Sequence, residues 1–204
     1  TYKDDDNKWL SPDEIETKDG KNYLIKKNPT KKAIIGPSES MSKSKKNTID
    51  PEQIIENYGA DSVRLFMLSD SPPEKDIQWS DQGMIACYKF IQKLWTLHEK
   101  IKNKLNTTER LQQNSDEISK FTNQLIDKIN TNLEKFHNNV IVANFYETYN
   151  FLIKEIEKPI TKKNLTKNYT KILKLMSPIL PHFTSECLEE LKCEIGRASC
   201  RERV

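Results

Sequence analysis

Glycine, cysteine and long apolar stretches are scarce in this sequence. Its 204 residues include five glycines and four cysteines, and only 35% of them are hydrophobic. No run of about 18 apolar residues occurs, which excludes a membrane-spanning helix. The chain begins at Thr1, and no basic-then-apolar leader opens it. No secretory signal is therefore predicted, and a reducing cytoplasm is the expected location.

The cysteines and the overall charge exclude two classes of protein. Cys87, Cys187, Cys193 and Cys200 show no CxxC spacing and no nearby pair of histidines, so no metal site is predicted. The net charge of +3 is too small to indicate a nucleic-acid-binding protein from its overall field. Any contact with RNA is expected to come from local basic clusters.

Arginine is rare except at the end of the chain. Three of the five arginines, Arg197, Arg201 and Arg203, fall in the last eight residues, whereas lysine, asparagine and isoleucine dominate upstream. Residues 194–204 also resemble the translation of a sequencing-adapter oligonucleotide. We exclude this tail from reasoning about fold and function; a genuine basic tail is the alternative.

The first 47 residues predict short strands and a loop. Apolar clusters at 23–25 and 33–35 flank the turn signal Asn28-Pro29, which favours strands in a small hairpin-like insertion. Residues 37–47 contain serine and lysine but almost no apolar residue, as is typical of an exposed loop.

Helices are predicted from residue 50 onward. Asp50 is a candidate N-cap with Pro51 after it, Gly59 can end that helix, and Ala60-Asp61 can start the next one, which Pro72 stops. Residues 76–79 favour a short extended stretch. Beyond Ser80, apolar residues at three-to-four spacing predict four helices, with a fifth after Pro181; their buried positions fall in 85–97, 118–136, 140–156 and 169–176. The predicted fold is mainly α, an antiparallel helical bundle preceded by a small α+β segment.

The loop at Ser40-Met41-Ser42-Lys43-Ser44 is the strongest chemical signal. A mobile loop with a lysine and small hydroxyl groups can close on phosphates that gain charge in a transition state. These residue types alone favour an ordinary solvated loop. The interpretation therefore depends on the motifs that follow.

Those motifs occur in an order that resembles class Ia aminoacyl-tRNA synthetases. The loop is similar to the KMSKS signature, with Ser40 in place of its first lysine. Residues 58–66 resemble the GAD-x-hR helix, residues 90–95 the first anticodon-domain helix, and residues 176–186 a late P-x-x-PH motif. Residues 70–81, together with the stretch ahead of the loop, resemble the leucyl-tRNA synthetase family in particular. The resemblance covers roughly residues 9–193.

The resemblance implies activation of leucine by ATP, with Mg²⁺, and transfer to tRNA(Leu). Lys43 matches the lysine that contacts the ATP phosphates and is the implied catalytic residue, and Met41, Ser42 and Ser44 match the rest of the ATP-binding loop. Lys45, Lys46 and Arg64 are candidate tRNA contacts. Arg64 can equally pair with an acid, Asp61 is most simply a helix N-cap, and Trp79, Trp95 and His182 are interpreted as structural.

The resemblance also implies an organisation into domains. Residues 1–36 match a remnant of the catalytic domain or the leucine-specific insertion, residues 37–80 the loop and a stem-contact-like segment, and residues 81–193 the helical anticodon-binding domain. No His-x-Gly-His motif occurs, and about 40 residues ahead of the loop are too few for a parallel sheet. We therefore expect a monomeric internal fragment that is inactive alone and does not contact a membrane. The alternatives are a non-enzymatic helical tRNA-binding module with a vestigial loop, or a valyl, isoleucyl or methionyl relative.

Overall fold

The computed structural model describes residues 1–18, 22–70, 72, 74–106 and 116–191. The chain divides into two compact units, Thr1–Glu56 and Asn57–Val204, and the division falls within a helix. The described residues form seven α-helices and six short strands, which confirms the predicted mainly α fold class. The predicted tail 194–204 lies outside the described residues.

The first unit contains two small antiparallel sheets. Its strands are β1 (Tyr2–Lys3), β2 (Trp9–Leu10), β3 (Ile15–Lys18), β4 (Asn22–Ile25), β5 (Asn28–Lys32) and β6 (Ile34–Ile35). One sheet has the order β2-β1-β6 and the other the order β3-β4-β5. The β4–β5 hairpin pairs Ile25 with Asn28, at the turn that Asn28-Pro29 predicted. Leu10, Ile15 and Ile25 form the buried core of this unit.

Two helices follow the loop as predicted. Helix α1 spans Pro51–Tyr58 and helix α2 spans Ala60–Ser69. The Asp50 carboxylate accepts a hydrogen bond of 3.0 Å from the Glu52 amide, so the predicted N-cap forms. Gly59 separates the helices with a φ of +78°, a conformation that glycine adopts without the steric penalty of a side chain. Residues 76–79, predicted as extended, form no strand.

Five helices make up the rest of the second unit. They are α3 (Asp81–Asn106), α4 (Glu117–Glu134), α5 (Asn138–Glu155), α6 (Lys162–Met176) and α7 (Pro181–Glu190). Their inner faces form an apolar core that includes the fully buried Ile101, Ile129, Phe145 and Ile172. None of the helices in the described part of the chain combines the length and hydrophobicity that crossing a bilayer requires.

The prediction for Phe136 is wrong, and three other apolar positions that the pattern counted as buried are also exposed, Ile85, Val140 and Tyr146. The sequence pattern assigned Phe136 to the buried face of the second long helix, but α4 ends at Glu134 and Phe136 is 69% exposed. Its φ of +54° lies in the left-handed region. Phe136 occupies the position that glycine commonly takes after a helix, and the amides of Phe136 and His137 bond to the carbonyls of Leu133 and Asn132. The helix therefore stops before the apolar periodicity does.

Candidate functional site

The candidate loop adopts a defined turn. Residues Lys43–Lys45 form one turn of 3₁₀ helix, preceded by Ser42 in an extended conformation. The Ser42 amide donates to Asn47 Oδ1 at 2.7 Å, and Asn47 Nδ2 donates to the carbonyls of Glu39 and Ser40 at 3.3 Å each. One asparagine side chain thus joins the two ends of the loop. Sequence reasoning assigned Asn47 no role, although the ability of asparagine side chains to bond nearby backbone groups is general.

The three lysines of the loop have different surroundings. Lys45 pairs with Glu39, and Lys46 Nζ lies 3.1 Å from Glu14 Oε2. Lys43 is exposed, and its side chain forms no hydrogen bond or ion pair with any residue that the structure describes. Lys43 is therefore the loop lysine whose charge remains available to an anion.

The partner of Lys46 is a carboxylate with an unusually low pKa. Glu14 Oε2 accepts hydrogen bonds from the Ser11 amide at 3.0 Å and from the Ser11 hydroxyl at 3.3 Å, in addition to Lys46. The backbone hydrogen bond from Ser11, followed by the hydrogen bond from Lys46, lowers the pKa of Glu14 to about 2. The hydrogen bond from Lys45 likewise lowers the pKa of Glu39. Both carboxylates are therefore ionised near neutral pH and hold the two lysines in place.

Two hydroxyl groups and one apolar side chain complete the loop. The Ser42 and Ser44 hydroxyl oxygens lie 2.7 Å apart, and Met41 is 50% exposed. An ammonium group and hydroxyl groups are the kinds of donor that bind a phosphate, although here one of the two hydroxyls donates to the other. The structure thus places the predicted residues Met41 to Ser44 next to one another, at and just before this turn.

Asp61 caps a different helix from the one that the sequence suggested. Its carboxylate accepts hydrogen bonds from the Phe183 amide at 2.7 Å, from His182 Nδ1 at 2.9 Å and from the His182 amide at 3.4 Å. These two amides belong to the first turn of α7, where helix geometry leaves them without partners. Asp61 on α2 therefore caps α7 and supports the structural interpretation of His182.

Arg64 holds the turn just before α7. Its Nε donates to the Ile179 carbonyl at 3.0 Å, and its Nη2 donates to the Pro178 carbonyl at 2.7 Å. It pairs with no acid among the described residues, although the sequence left that alternative open. Asp61 and Arg64 lie one helical turn apart on α2, so they bind the same short segment, residues 178–183. The GAD-x-hR and P-x-x-PH segments therefore form one structural unit.

Trp79 and Trp95, the two tryptophans of the second unit, are packed against other aromatic rings. The Trp95 ring meets Phe183 edge-on at 5.0 Å, and Trp79 meets Phe66 at 5.1 Å while its Nε1 donates to Asp81. Each tryptophan is half-buried. Beside Trp95, a cleft of about 620 Å³ opens between the N-terminal ends of α2 and α7 and the middle of α3.

Sequence reasoning missed a polar network around the buried His98. This side chain is fully buried; its Nδ1 lies 3.0 Å from the Tyr169 hydroxyl, and its Nε2 lies 2.9 Å from Glu190 Oε2. Lys102 also donates to Glu190 at 2.8 Å. The hydrogen bonds from Lys102 and then His98 lower the pKa of Glu190. The four residues come from three different helices, so no local spacing in the sequence could have shown the network.

Two family models match separate parts of the chain. The family model described as "Anticodon-binding domain of tRNA ligase" matches residues 115–200, and that for "tRNA synthetases class I (I, L, M and V)" matches residues 35–80. The leucine–tRNA ligase of Wolbachia pipientis subsp. Culex pipiens is 38% identical over 193 residues, which cover 94% of this chain and 22% of that protein. The chain is homologous to leucine–tRNA ligases. The family resemblance predicted from the motifs is thus confirmed.

Other leucine–tRNA ligases match this chain with similar identity and coverage. The Rickettsia prowazekii protein is 38% identical over 94% of this chain and 23% of its own length, and the Bartonella quintana protein is 38% identical over 92% and 22%. A LeuRS of Agrobacterium radiobacter K84, solved in a ternary complex with tRNA and LeuAMS, has a TM-score of 0.66. It shares 24% identity and covers 76% of this chain and 21% of its own, which supports the fold. The chain thus spans about a fifth of these relatives.

Proposed function

We propose that this chain forms two working parts of a leucine–tRNA ligase, a loop that binds ATP phosphates and a helical domain that binds tRNA(Leu). The complete protein would activate leucine with ATP and transfer the leucyl group to the tRNA. The homology to leucine–tRNA ligases over nearly the whole chain supports this proposal. The observation that carries it is the exposed Lys43, which is free of the ion pairs that engage Lys45 and Lys46.

The proposed chemistry of Lys43 is electrostatic. When the leucine carboxylate attacks the α-phosphate of ATP, the bond to pyrophosphate breaks and negative charge develops on the departing group. The Lys43 ammonium would neutralise that charge, and the Ser42 and Ser44 hydroxyls would donate hydrogen bonds to the phosphate oxygens. Met41 would pack against the bound nucleotide. Mg²⁺ would enter with ATP as the counter-ion of its phosphates.

The remaining basic residues are proposed contacts for tRNA. Lys45 and Lys46 stand beside Lys43 but are held by Glu39 and Glu14, so each would have to exchange a carboxylate for a phosphate. Arg64 is exposed and uses its Nε and Nη2 on carbonyl groups, which leaves further N–H groups for a phosphate. Such contacts position RNA without reading its bases.

The proposed domains keep the boundaries expected from the sequence. Residues 1–36 would belong to the catalytic domain or its insertion, residues 37–80 to the loop and stem-contact segment, and residues 81–193 to the tRNA-binding domain. We propose a cytoplasmic monomer that depends on a separate nucleotide-binding domain for catalysis. Ser40, which replaces a lysine of the signature, favours one alternative, a non-enzymatic tRNA-binding module with a vestigial loop.

A chimeric enzyme tests the proposal. Residues 35–191 would replace the corresponding segment of the Wolbachia relative, and leucine-dependent exchange of pyrophosphate into ATP would be measured. Exchange with leucine, and none with valine, isoleucine or methionine, is the expected result. A folded chimera that binds tRNA(Leu) without exchange would support the non-enzymatic alternative. The chain alone is expected to show no exchange.

A further inference from the structure

Helix α6 differs from its neighbours in charge. It contains five lysines and no acidic residue, a net charge of +5. Helices α4 and α5 each carry a net charge of −1, and α7 carries −3. Helix α3 carries +3, but two of its lysines are engaged, Lys102 with Glu99 and Glu190, and Lys104 with the carbonyls of residues 156 and 158.

Four of the α6 lysines form one stripe on the surface. With 3.6 residues per turn, Lys163, Lys167, Lys171 and Lys174 fall within an arc of about 80° around the helix axis. The opposite face carries the buried positions of α6, which are Leu165, Asn168, Tyr169, Ile172, Leu173 and Met176. Lys163, Lys167 and Lys174 are exposed and Lys171 is half-buried. The four lysines, named here the α6 stripe, therefore lie on the side away from the core.

The α6 stripe has no internal electrostatic partner. None of its four lysines forms an ion pair or hydrogen bond through its side chain with a residue in the described ranges. The pairs Lys163–Lys167 and Lys167–Lys171 have the four-residue spacing at which like charges repel on a helix. Lys163 also lies in the first turn, where the helix dipole disfavours cations. The stripe therefore carries uncompensated positive charge that an external anion would stabilise.

We propose that the α6 stripe binds the phosphate backbone of tRNA. This inference rests on the proposed function, because the homology to tRNA ligases identifies RNA as the polyanion. The anticodon-binding family match, residues 115–200, contains all of α6. From Lys163 to Lys174 the stripe extends about 16 Å along the helix axis, a length over which an RNA strand presents several phosphates. Flexible lysines that act as point charges suit such contacts.

The test compares two variants of the full chain that lose the same charge. In the first, the four lysines of the α6 stripe become glutamine. In the second, the matched control, Lys100, Lys120, Lys135 and Lys154 become glutamine. These four exposed lysines come from the α3–α5 region and, like the stripe, form no ion pair with a described residue. Their loss changes the net charge equally. Affinity for a tRNA(Leu) transcript is measured by filter binding from 50 to 300 mM salt, and thermal unfolding is followed by circular dichroism.

The expected result separates the two variants. Loss of the α6 stripe should lower the slope of log affinity against log salt by about 3 to 4, because each lysine–phosphate contact contributes about 0.9. The control variant should lower it by less than about 1. The stripe variant should also melt at the same or a higher temperature, because like-charge repulsion is removed. Reduced RNA binding with undiminished stability distinguishes a binding role from a structural one.

Three outcomes would overturn the inference. Equal loss in both variants would show that overall charge attracts the RNA, and an unchanged slope in the stripe variant would place the RNA on another face. Both outcomes leave the proposed function intact, since the unmodified chain still binds tRNA. Failure of the unmodified chain to bind tRNA(Leu) at any salt concentration would reject the α6 stripe together with tRNA binding by this chain. The pyrophosphate exchange assay of the chimera tests the catalytic part of the proposed function separately from these outcomes.

Discussion

The two units of the chain are stabilised by different means. In the unit Asn57–Val204, helices α2 to α7 enclose an apolar core, and the twelve largest fully buried side chains among the described residues all belong to it. In the unit Thr1–Glu56, the buried core is limited to Leu10, Ile15 and Ile25. Its candidate loop is held by one asparagine side chain and two lysine–carboxylate pairs.

This difference matches the proposed roles of the two units. Ion pairs that stay partly exposed, as these two do, contribute little to stability, so a loop held by them can open and close around a nucleotide. An interior packed like an organic crystal resists deformation, which suits a helical surface that must present charges at fixed positions. The unit with the smaller core thus carries the proposed chemistry, and the unit with the larger core carries the proposed tRNA-binding surface.

The largest expected effect comes from the core of the helical unit. Phe145 on α5 is fully buried, and its replacement by alanine should reduce the free energy of unfolding by about 3 to 5 kcal/mol. Urea unfolding followed by circular dichroism at 222 nm measures this change. The matched substitution in the other unit is Leu10→Ala, which should leave the helical signal nearly unchanged. If Leu10→Ala lowered the helical midpoint as much as Phe145→Ala, the two units would not be stabilised separately.

The next largest effect is expected on leucine-dependent exchange when individual lysines of the loop are replaced. In the chimera, Lys43→Ala should reduce leucine-dependent exchange about a hundredfold, or about 3 kcal/mol, the loss typical of one pre-organised donor to a developing anion. Lys45→Ala should reduce it much less, because Lys45 already pairs with Glu39. Equal losses in the two variants would show that the loop attracts ATP through its total charge and that Lys43 has no special position.

A smaller effect is expected where α2 meets α7. Asp61→Ala removes the acceptor for two amides of the first turn of α7 and should reduce the free energy of unfolding by about 2 kcal/mol. Asp127 on α4 is exposed and forms no ion pair with any described residue, so Asp127→Ala is the control and should change stability by less than about 0.5 kcal/mol. A change of similar size in both variants, measured by urea unfolding, would contradict the capping role of Asp61.

Local sequence patterns predicted the helices well. Apolar spacing located α3 to α6, Pro181 marked the start of α7, and the Asp50-Pro51 and Gly59 signals located the ends of α1. These features depend on neighbours within a turn or two, which is the range that periodicity and capping rules describe. Phe136 was assigned wrongly because its hydrophobicity continues the pattern of α4 after the backbone has left the helix.

Contacts between residues that are far apart in the sequence could not be predicted from local patterns. Asp61 was recognised as a cap, but the helix that it caps, α7, begins 120 residues later in the chain, at Pro181. Arg64 and the carbonyl groups that it binds are similarly far apart in the sequence, and so are His98 and Glu190. Likewise, the sequence showed a lysine-rich loop, but only the ion pairs with Glu14 and Glu39 single out Lys43. Such pairings arise from packing and have no local signature.

The smallest expected effect concerns the acid sensitivity of the first unit. Because the pKa of Glu14 falls from 4.5 to about 2 on folding, its ionised form stabilises the unit fully above pH 4.5, and this contribution is lost as the pH falls from 4.5 towards 2. Glu14→Gln should therefore lower stability at pH 7 and flatten its decline below pH 4.5. The fluorescence of Trp9 on β2, in a chain with Trp79→Phe and Trp95→Phe, reports unfolding of this unit in urea. The control is Glu16→Gln, at an exposed position on β3, which should retain the full dependence of stability on acid. If Glu16→Gln flattened the decline of stability as much as Glu14→Gln, the acid sensitivity would reflect overall charge. The Glu14–Lys46 pair would then have no particular part in holding the loop.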